Sequence, residues 1–194
     1  PYSLLMFLSK KEFANYWFAT GTPTFLIELI KAKQFNLAEI SDFEIDRSAF
    51  MSIEPEQISP LIALLQTDYL TIADFDDGWY RLDFPNYEVK YAFNQSIVEN
   101  LSNTEPGVNV GYIRKLCRAL NKANLDDFFE ILQVFFANIP NTISIKQEKY
   151  YQSLFYSIFT LIGYKLEAEV STNKGRIDCV IHTDSTIYII EFKL

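Results

Sequence analysis

Two runs rich in Ile, Val and Tyr lie near the end of the chain, on either side of a polar stretch over 183–185. β-Branched residues suit a pleated strand, whereas Asp and Ser favour turns. The pattern therefore predicts a β-hairpin over 175–194. With the loop centred on the polar stretch, Val180 pairs with Ile189.

This register brings two carboxylates together. Asp178 faces Glu191 across the ladder, with Cβ atoms about 5 Å apart. Because like charges directly opposite each other destabilise a sheet, the pair needs an offsetting cation, and Mg²⁺ prefers such oxygen ligands. Alternation places Lys193 on the same face as Glu191, where its ammonium could orient a water or stabilise phosphoryl oxygens.

A purely structural role for these charges is the alternative. Asp178 would then be an ordinary strand charge, and Glu191 with Lys193 a solvated pair that contributes at most about 1 kcal/mol. However, Ile187 and Ile189 on the carboxylate face are apolar, as are most residues of the other face. We therefore expect both faces to be buried beneath helices, and charges in such a sheet need a partner.

The order Asp178, twelve intervening residues and then Glu191-Phe-Lys193 resembles the active-site signature of the PD-(D/E)XK nuclease superfamily. Ile177 stands where the superfamily's name has proline. The resemblance implies that Asp178 and Glu191 bind Mg²⁺ or Mn²⁺, that Lys193 is the catalytic lysine, and that the substrate is nucleic acid, with DNA favoured.

Longer sequence segments are similar to those of a bacterial family that joins an AAA-like ATPase domain to a C-terminal nuclease domain. They are Gly175-Arg-Ile-Asp178 with Ile189-Ile-Glu-Phe-Lys193, the stretch Asn15–Leu26, and Leu64–Ile72 with Pro85–Val89. No Gly-rich loop followed by Lys-Ser or Lys-Thr occurs in the chain. We therefore expect the upstream AAA-like ATPase domain to be a partner that is absent from this chain.

The resemblance, together with the helix and strand patterns, implies an α+β or α/β fold in three parts. Residues 1–101 would be helical and winged-helix-like, 102–140 a linker and helical connector, and 141–194 the first part of a restriction-endonuclease-like α-β-β-β core. Because that core continues in the superfamily with a further helix and strand, we expect the chain alone to be truncated and incomplete as an enzyme.

Helical periodicity organises the first part. Ser9 is placed to cap a helix over 10–18, and a second helix after Pro23 would bury a stripe beginning with Phe25. Between 53 and 101 the pattern predicts a helix, two strands around the turn at 76–78, and another helix, which resembles a winged helix. The acidic turn would repel phosphate, so we favour a wing that packs against protein.

The later helices are predicted over 110–120, 125–136 and about 146–163. Glu148 lies one turn before the buried stripe of the last helix and is a third metal-ligand candidate; the alternative is a first-turn charge that the helix dipole favours. Glu169, on the following strand, is a weaker candidate, with an exposed edge as the alternative. The basic residues between 114 and 122 could face nucleic acid, but a solvated helix face is the commoner meaning.

The net charge of −8 argues against a broad basic surface for nucleic acid. No apolar run reaches the roughly 20 residues of a membrane span, and no signal peptide is recognisable, so we expect a cytoplasmic protein with no membrane partner. Cys117 and Cys179 are expected to be free thiols. Two functions follow as hypotheses: a metal-dependent nuclease, or a non-catalytic interaction module coupled to an AAA-like ATPase.

Overall fold

The computed structural model describes residues 2–12, 24–51, 58–102, 108–137, 148–173 and 175–191. In these ranges the α-helices are α1 (Tyr2–Lys10), α2 (Thr24–Lys33), α3 (Pro60–Gln66), α4 (Tyr87–Ser102), α5 (Val108–Asn121), α6 (Leu125–Ala137) and α7 (Glu148–Ile162). The strands are β1 (Glu44–Asp46), β2 (Thr71–Asp76), β3 (Trp79–Asp83), β4 (Lys165–Thr172), β5 (Gly175–His182) and β6 (Ile187–Ile190). Short 3-10 helices span Leu37–Asp42 and Arg47–Met51. Mixed helix and antiparallel sheet confirm the α+β class.

The first sheet has the antiparallel order β1-β3-β2. The turn between β2 and β3 was predicted correctly: Asp77 and Gly78 have φ values of 42° and 88°, the left-handed region that tight hairpins require at these positions. Strand β1 was missed, because three residues are too short to establish an alternating pattern. Helix α3, the two strands and α4 follow one another in the predicted order.

The second sheet has the antiparallel order β4-β5-β6. Val180 pairs with Ile189, which confirms the register predicted from the sequence. The hairpin closes where the backbone N–H of Thr183 donates to the carbonyl of Thr186 at 2.9 Å. The predicted order of one helix and three strands is therefore present.

Helix α7 lies at the centre of the packing. Every residue from 152 to 160 is buried, because the helix is covered on several sides, by α4, by the 3-10 helix Leu37–Asp42, by α5 and by β4. A helix that is apolar on most of its circumference is stable only in such a buried position. One contiguous cluster of buried residues extends from Leu26 in α2 to Ile181 in β5.

A buried polar contact joins the start of α7 to the segment before the first 3-10 helix. Asn36 Nδ2 donates to Gln152 Oε1 at 3.0 Å, and Ser153 Oγ accepts from the Leu37 N–H at 3.0 Å. The Asn36 Oδ1 atom also accepts from the Ala38 N–H at 3.1 Å and so caps the 3-10 helix. These bonds satisfy polar groups that would be costly to bury alone.

Two predictions for the first part were wrong. Ser9 lies inside α1, which continues to Lys10 and ends at Lys11 with φ of 54°; residues 13–18 of the predicted helix are outside the described residues. Phe25 is 63% exposed, whereas Ile27 is buried in its place at 1%, because the buried stripe of α2 is Leu26, Ile27 and Ile30. No helix in the described ranges is both long and apolar enough to cross a bilayer.

Candidate active site

The structure describes two of the predicted site residues with their surroundings. Asp178 lies on β5, the central strand of the second sheet, and Glu191 directly follows β6. Glu148 is the first residue of α7, but its side chain is outside the described set. Lys193 lies beyond the described residues.

The ladder brings acidic positions into one row. The last β5–β6 pair is Cys179 with Ile190, so the same register, continued by one residue, sets Asp178 against Glu191. On the other side of β5, Ala168 pairs with Cys179 and Val170 with Ile177, which sets position 169 against Asp178. Cross-strand neighbours share a face of the sheet, so the central carboxylate has an acidic position on each side.

The two faces of this sheet differ, contrary to the prediction that both are buried. On the face toward α7, Cys179 and Ile181 are buried, at 3% and 0% exposure. On the carboxylate face, Ile187 and Ile189 are 62% and 65% exposed. Coverage of the carboxylate face is uneven, because Val180 on the central strand is only 8% exposed, whereas the two isoleucines of the edge strand β6 are open to solvent. Asp178 is half-buried and Glu191 exposed, so both are accessible to a solute.

A second charged group lies on the carboxylate face, at the end nearer the hairpin loop. Glu167 forms an ion pair with Lys165, and its Oε1 atom lies 3.4 Å from His182 Nε2. The hydrogen bond and the charge of Lys165 lower the pKa of the Glu167 carboxyl below its usual value, and His182 adds to the effect. Four residues separate His182 from Asp178, about 13 Å along an extended strand. The histidine therefore belongs to the Glu167 group and not to the candidate active site.

The sequence analysis missed this Glu167 group. The signal was present in the sequence, because positions 165, 167 and 169 alternate with apolar residues and so share a face. Only the register of β4 on β5, which the hairpin pattern did not predict, sets Lys165 against His182.

The thiol next to Asp178 lies on the opposite, buried face of the sheet. Burial, together with the negative charge of Asp178, raises the pKa of Cys179 to about 12. A metal-binding cysteine must be deprotonated, which this environment opposes. Both cysteines are free in the structure, as predicted.

The donor set of the candidate site fits a hard cation. Two carboxylates, completed by water and phosphate oxygens, are the usual protein contribution to bound Mg²⁺, and Asp178 on β5 and Glu191 just after β6 are carboxylates of this kind. In the described part of the chain, no group of three or more His, Cys, Asp or Glu residues is placed to hold a metal ion. The side chains of Glu148 and Glu169 are outside that description.

Residues 146–194 match the family model of the PD-(D/E)XK nuclease superfamily. The matched segment contains α7, the second sheet and all four predicted site residues. Along its whole length the chain also aligns, with 32% identity over 205 positions, to a protein of Azotobacter chroococcum mcd 1 described as an uncharacterized protein in the vnfD 5′ region. The chain spans 39% of that relative's length. No solved structure matches the chain.

Proposed function

We propose that this chain contributes the metal-binding part of a nuclease that hydrolyses phosphodiester bonds. The observation that supports this most is the nuclease-superfamily match over 146–194. In that segment the β5–β6 register, continued by one residue beyond Cys179 and Ile190, would set Asp178 against Glu191. The superfamily match supports nucleic acid as the substrate, and we favour DNA.

In this proposal Asp178 and Glu191 hold Mg²⁺ or Mn²⁺, and Glu148 assists from the start of α7. The bound cation would lower the pKa of a water molecule and offset charge on the phosphate. Lys193 follows Glu191 by two residues, so a strand continued to it would carry its ammonium on the same face. There it orients the attacking water or stabilises the phosphoryl oxygens.

The exposed carboxylate face gives a phosphodiester room to approach. A face covered by helices would exclude a polymer, whereas Ile187 and Ile189 are more than half exposed beside the acidic pair. We further propose a cytoplasmic protein in which an AAA-like ATPase domain precedes the first part of this chain, whose helix, two strands and helix we interpret as winged-helix-like.

The second candidate function is a non-catalytic interaction module coupled to such an ATPase. The observation that favours it is charge: the net charge is −8, and the exposed strand β2 ends in Asp74, Asp76 and the turn residue Asp77. An acidic wing repels phosphate and suits a protein partner.

A cleavage assay separates the two functions. The full-length protein that contains this chain is incubated with single- and double-stranded DNA and with RNA in Mg²⁺ or Mn²⁺, and is compared with its Asp178→Asn and Lys193→Ala variants and with the matched control Asp184→Asn in the hairpin loop. We expect the parent to cleave nucleic acid. Both site variants should reduce the cleavage rate by at least about 100-fold, and the control should cleave at the rate of the parent. Cleavage that persists in Asp178→Asn, or no cleavage by a folded protein that binds no nucleic acid, would favour the interaction module.

A further inference from the structure

A cavity of about 200 Å³ lies between the start of α4 and the end of α7, where β4 begins. Its lining includes the ammonium-bearing residues Lys90 and Lys165, and the hydroxyl-bearing residues Tyr87, Tyr156, Tyr164 and Thr160. No Asp or Glu is among the lining residues. The Lys165 ammonium is paired with Glu167, so Lys90 carries the charge that would favour an anion in this cavity.

Lys90 has no carboxylate partner among the described residues. Its Nζ atom lies 5.9 Å from the centroid of the Phe84 ring and 5.8 Å from that of Tyr156. Contacts at this distance are weak, near the outer limit of about 6 Å for a cation–π interaction. The half-buried ammonium therefore retains hydrogen-bonding capacity for an anion.

Two hydroxyls in the lining, on mostly buried residues, also retain donors. Tyr156 and Thr160 are only 8% and 9% exposed, and within the described part of the chain neither hydroxyl has a hydrogen-bond partner. Neither hydroxyl oxygen is among the buried side-chain atoms that lack a partner, so both are accessible from the cavity and can donate to a solute or to water. Three or more acceptor oxygens on one group, as in phosphate, would match this set of donors.

The start of α4 adds to the preference for an anion. Asn86 caps the helix, since its Oδ1 atom accepts from the Val89 N–H at 3.0 Å, and Tyr87 and Lys90 lie in the first turn. The helix dipole is positive at this end. Two carboxylates oppose it from nearby: Glu88 in the same turn, and Glu167, which pairs with Lys165 at the rim.

We propose that this cavity binds the phosphate group of a nucleotide. Lys90 and the Tyr156 hydroxyl donate to the phosphate oxygens, and the Tyr87 ring, 64% exposed at the rim, offers a face on which a base can stack. The cavity is smaller than the roughly 300–1,000 Å³ of a site for a drug-sized ligand, so it encloses the phosphate and leaves the rest of the nucleotide outside.

This site is distinct from the proposed active site. Lys165 pairs with His182 across the sheet, about 13 Å of strand from Asp178. Phosphate binding at this cavity therefore does not depend on the proposed nuclease activity.

The test is a calorimetric titration of inorganic phosphate, thymidine monophosphate and oligothymidylate in buffer with EDTA, which removes divalent cations. Variants are Lys90→Gln and Tyr156→Phe, with melts to verify folding. Lys115→Gln is the matched control, because its Nζ also lies 5.9 Å from a tyrosine ring, that of Tyr112, on an exposed part of α5. Asp178→Asn tests independence from the active site.

We expect saturable binding that Lys90→Gln weakens about tenfold, as for loss of a hydrogen bond to a charged group, and that Tyr156→Phe weakens by a smaller factor. Lys115→Gln and Asp178→Asn should bind as the parent does. If inorganic phosphate and the monophosphate bind with equal affinity, the site recognises the phosphate alone. If oligothymidylate binds more tightly than the monophosphate, the site recognises a nucleic-acid strand. Both results agree with the proposal. No saturable binding of any probe, or equal losses in Lys90→Gln and Lys115→Gln, would overturn it.

Discussion

Asn36 donates a hydrogen bond to Gln152 at 3.0 Å inside the protein, although 116 positions separate them in the chain. The bond joins the segment after α2 to α7, the helix at the start of the segment that matches the nuclease-superfamily model. Because both side chains are buried, at 2% and 8% exposure, removing either partner leaves the other without its bond in a place that water does not reach.

Each of Asn36→Ala and Gln152→Ala should lower the free energy of unfolding by about 1–3 kcal/mol, with the larger loss for Asn36, which also caps a 3-10 helix. Chemical denaturation measures both. In a double-mutant cycle the two losses should sum to more than the loss of the double variant. The exposed Gln133→Ala is the control, expected within about 0.5 kcal/mol of the parent; strict additivity would contradict the coupling.

Tyr164 predicts a pH dependence of stability. Its hydroxyl donates to Asn121 Oδ1 at 2.6 Å and lies 3.5 Å from Cys117 Sγ. Burial, followed by the Cys117 contact, raises the pKa of Tyr164 above its ordinary 10.0. The neutral form is thus favoured in the folded state, so the stabilisation is complete below pH 10 and is lost as the pH rises above it, where the unfolded chain releases the proton first.

Melting curves between pH 8 and 11.5 measure this dependence. The parent should lose stability above pH 10 more steeply than Tyr164→Phe, which has no proton to release at that position. Tyr91→Phe provides the control for a half-buried tyrosine elsewhere, and its curve should parallel that of the parent. Parallel curves for the parent and Tyr164→Phe would show that Tyr164 does not titrate differently on folding.

Cys179 should be unreactive in the folded protein. Its pKa is raised to about 12 by burial and by Asp178, and the thiolate is the form that reacts with alkylating and disulfide reagents. In a Cys117→Ser variant, Cys179 is the remaining cysteine. It should react slowly with a thiol label at pH 8 in the folded protein, and at the rate of a free thiol after unfolding in guanidinium. Rapid labelling of the folded variant would show that β5 is more open than the structure describes.

Local patterns in the sequence predicted the hairpin well. Val180 pairs with Ile189 as expected, because strand alternation and a polar loop together leave one register that keeps apolar residues such as Ile181 on the side facing α7. The same local rules could not predict that Ile187 and Ile189 are exposed, since coverage of a sheet face depends on where distant helices pack.

Local sequence patterns could not predict the long-range polar contacts either. Nothing in the residues around Asn36 indicates a partner 116 positions away, and nothing around Lys165 indicates that it lies opposite His182. In the candidate site, the positions of Asp178 and Glu191 follow from the hairpin register, whereas the roles of Glu148 and Lys193 remain predictions from the family resemblance.

The measurement that tests the metal site most directly is calorimetric titration of Mn²⁺ and Mg²⁺ into the protein and into its Asp178→Asn and Glu191→Gln variants. Asp184→Asn, in the loop of the same hairpin, is the control. We expect the parent and the control to bind a divalent cation, and both site variants to lose at least about tenfold in affinity while melting curves show that they remain folded. Equal affinity in the parent and both site variants would contradict the paired-carboxylate site.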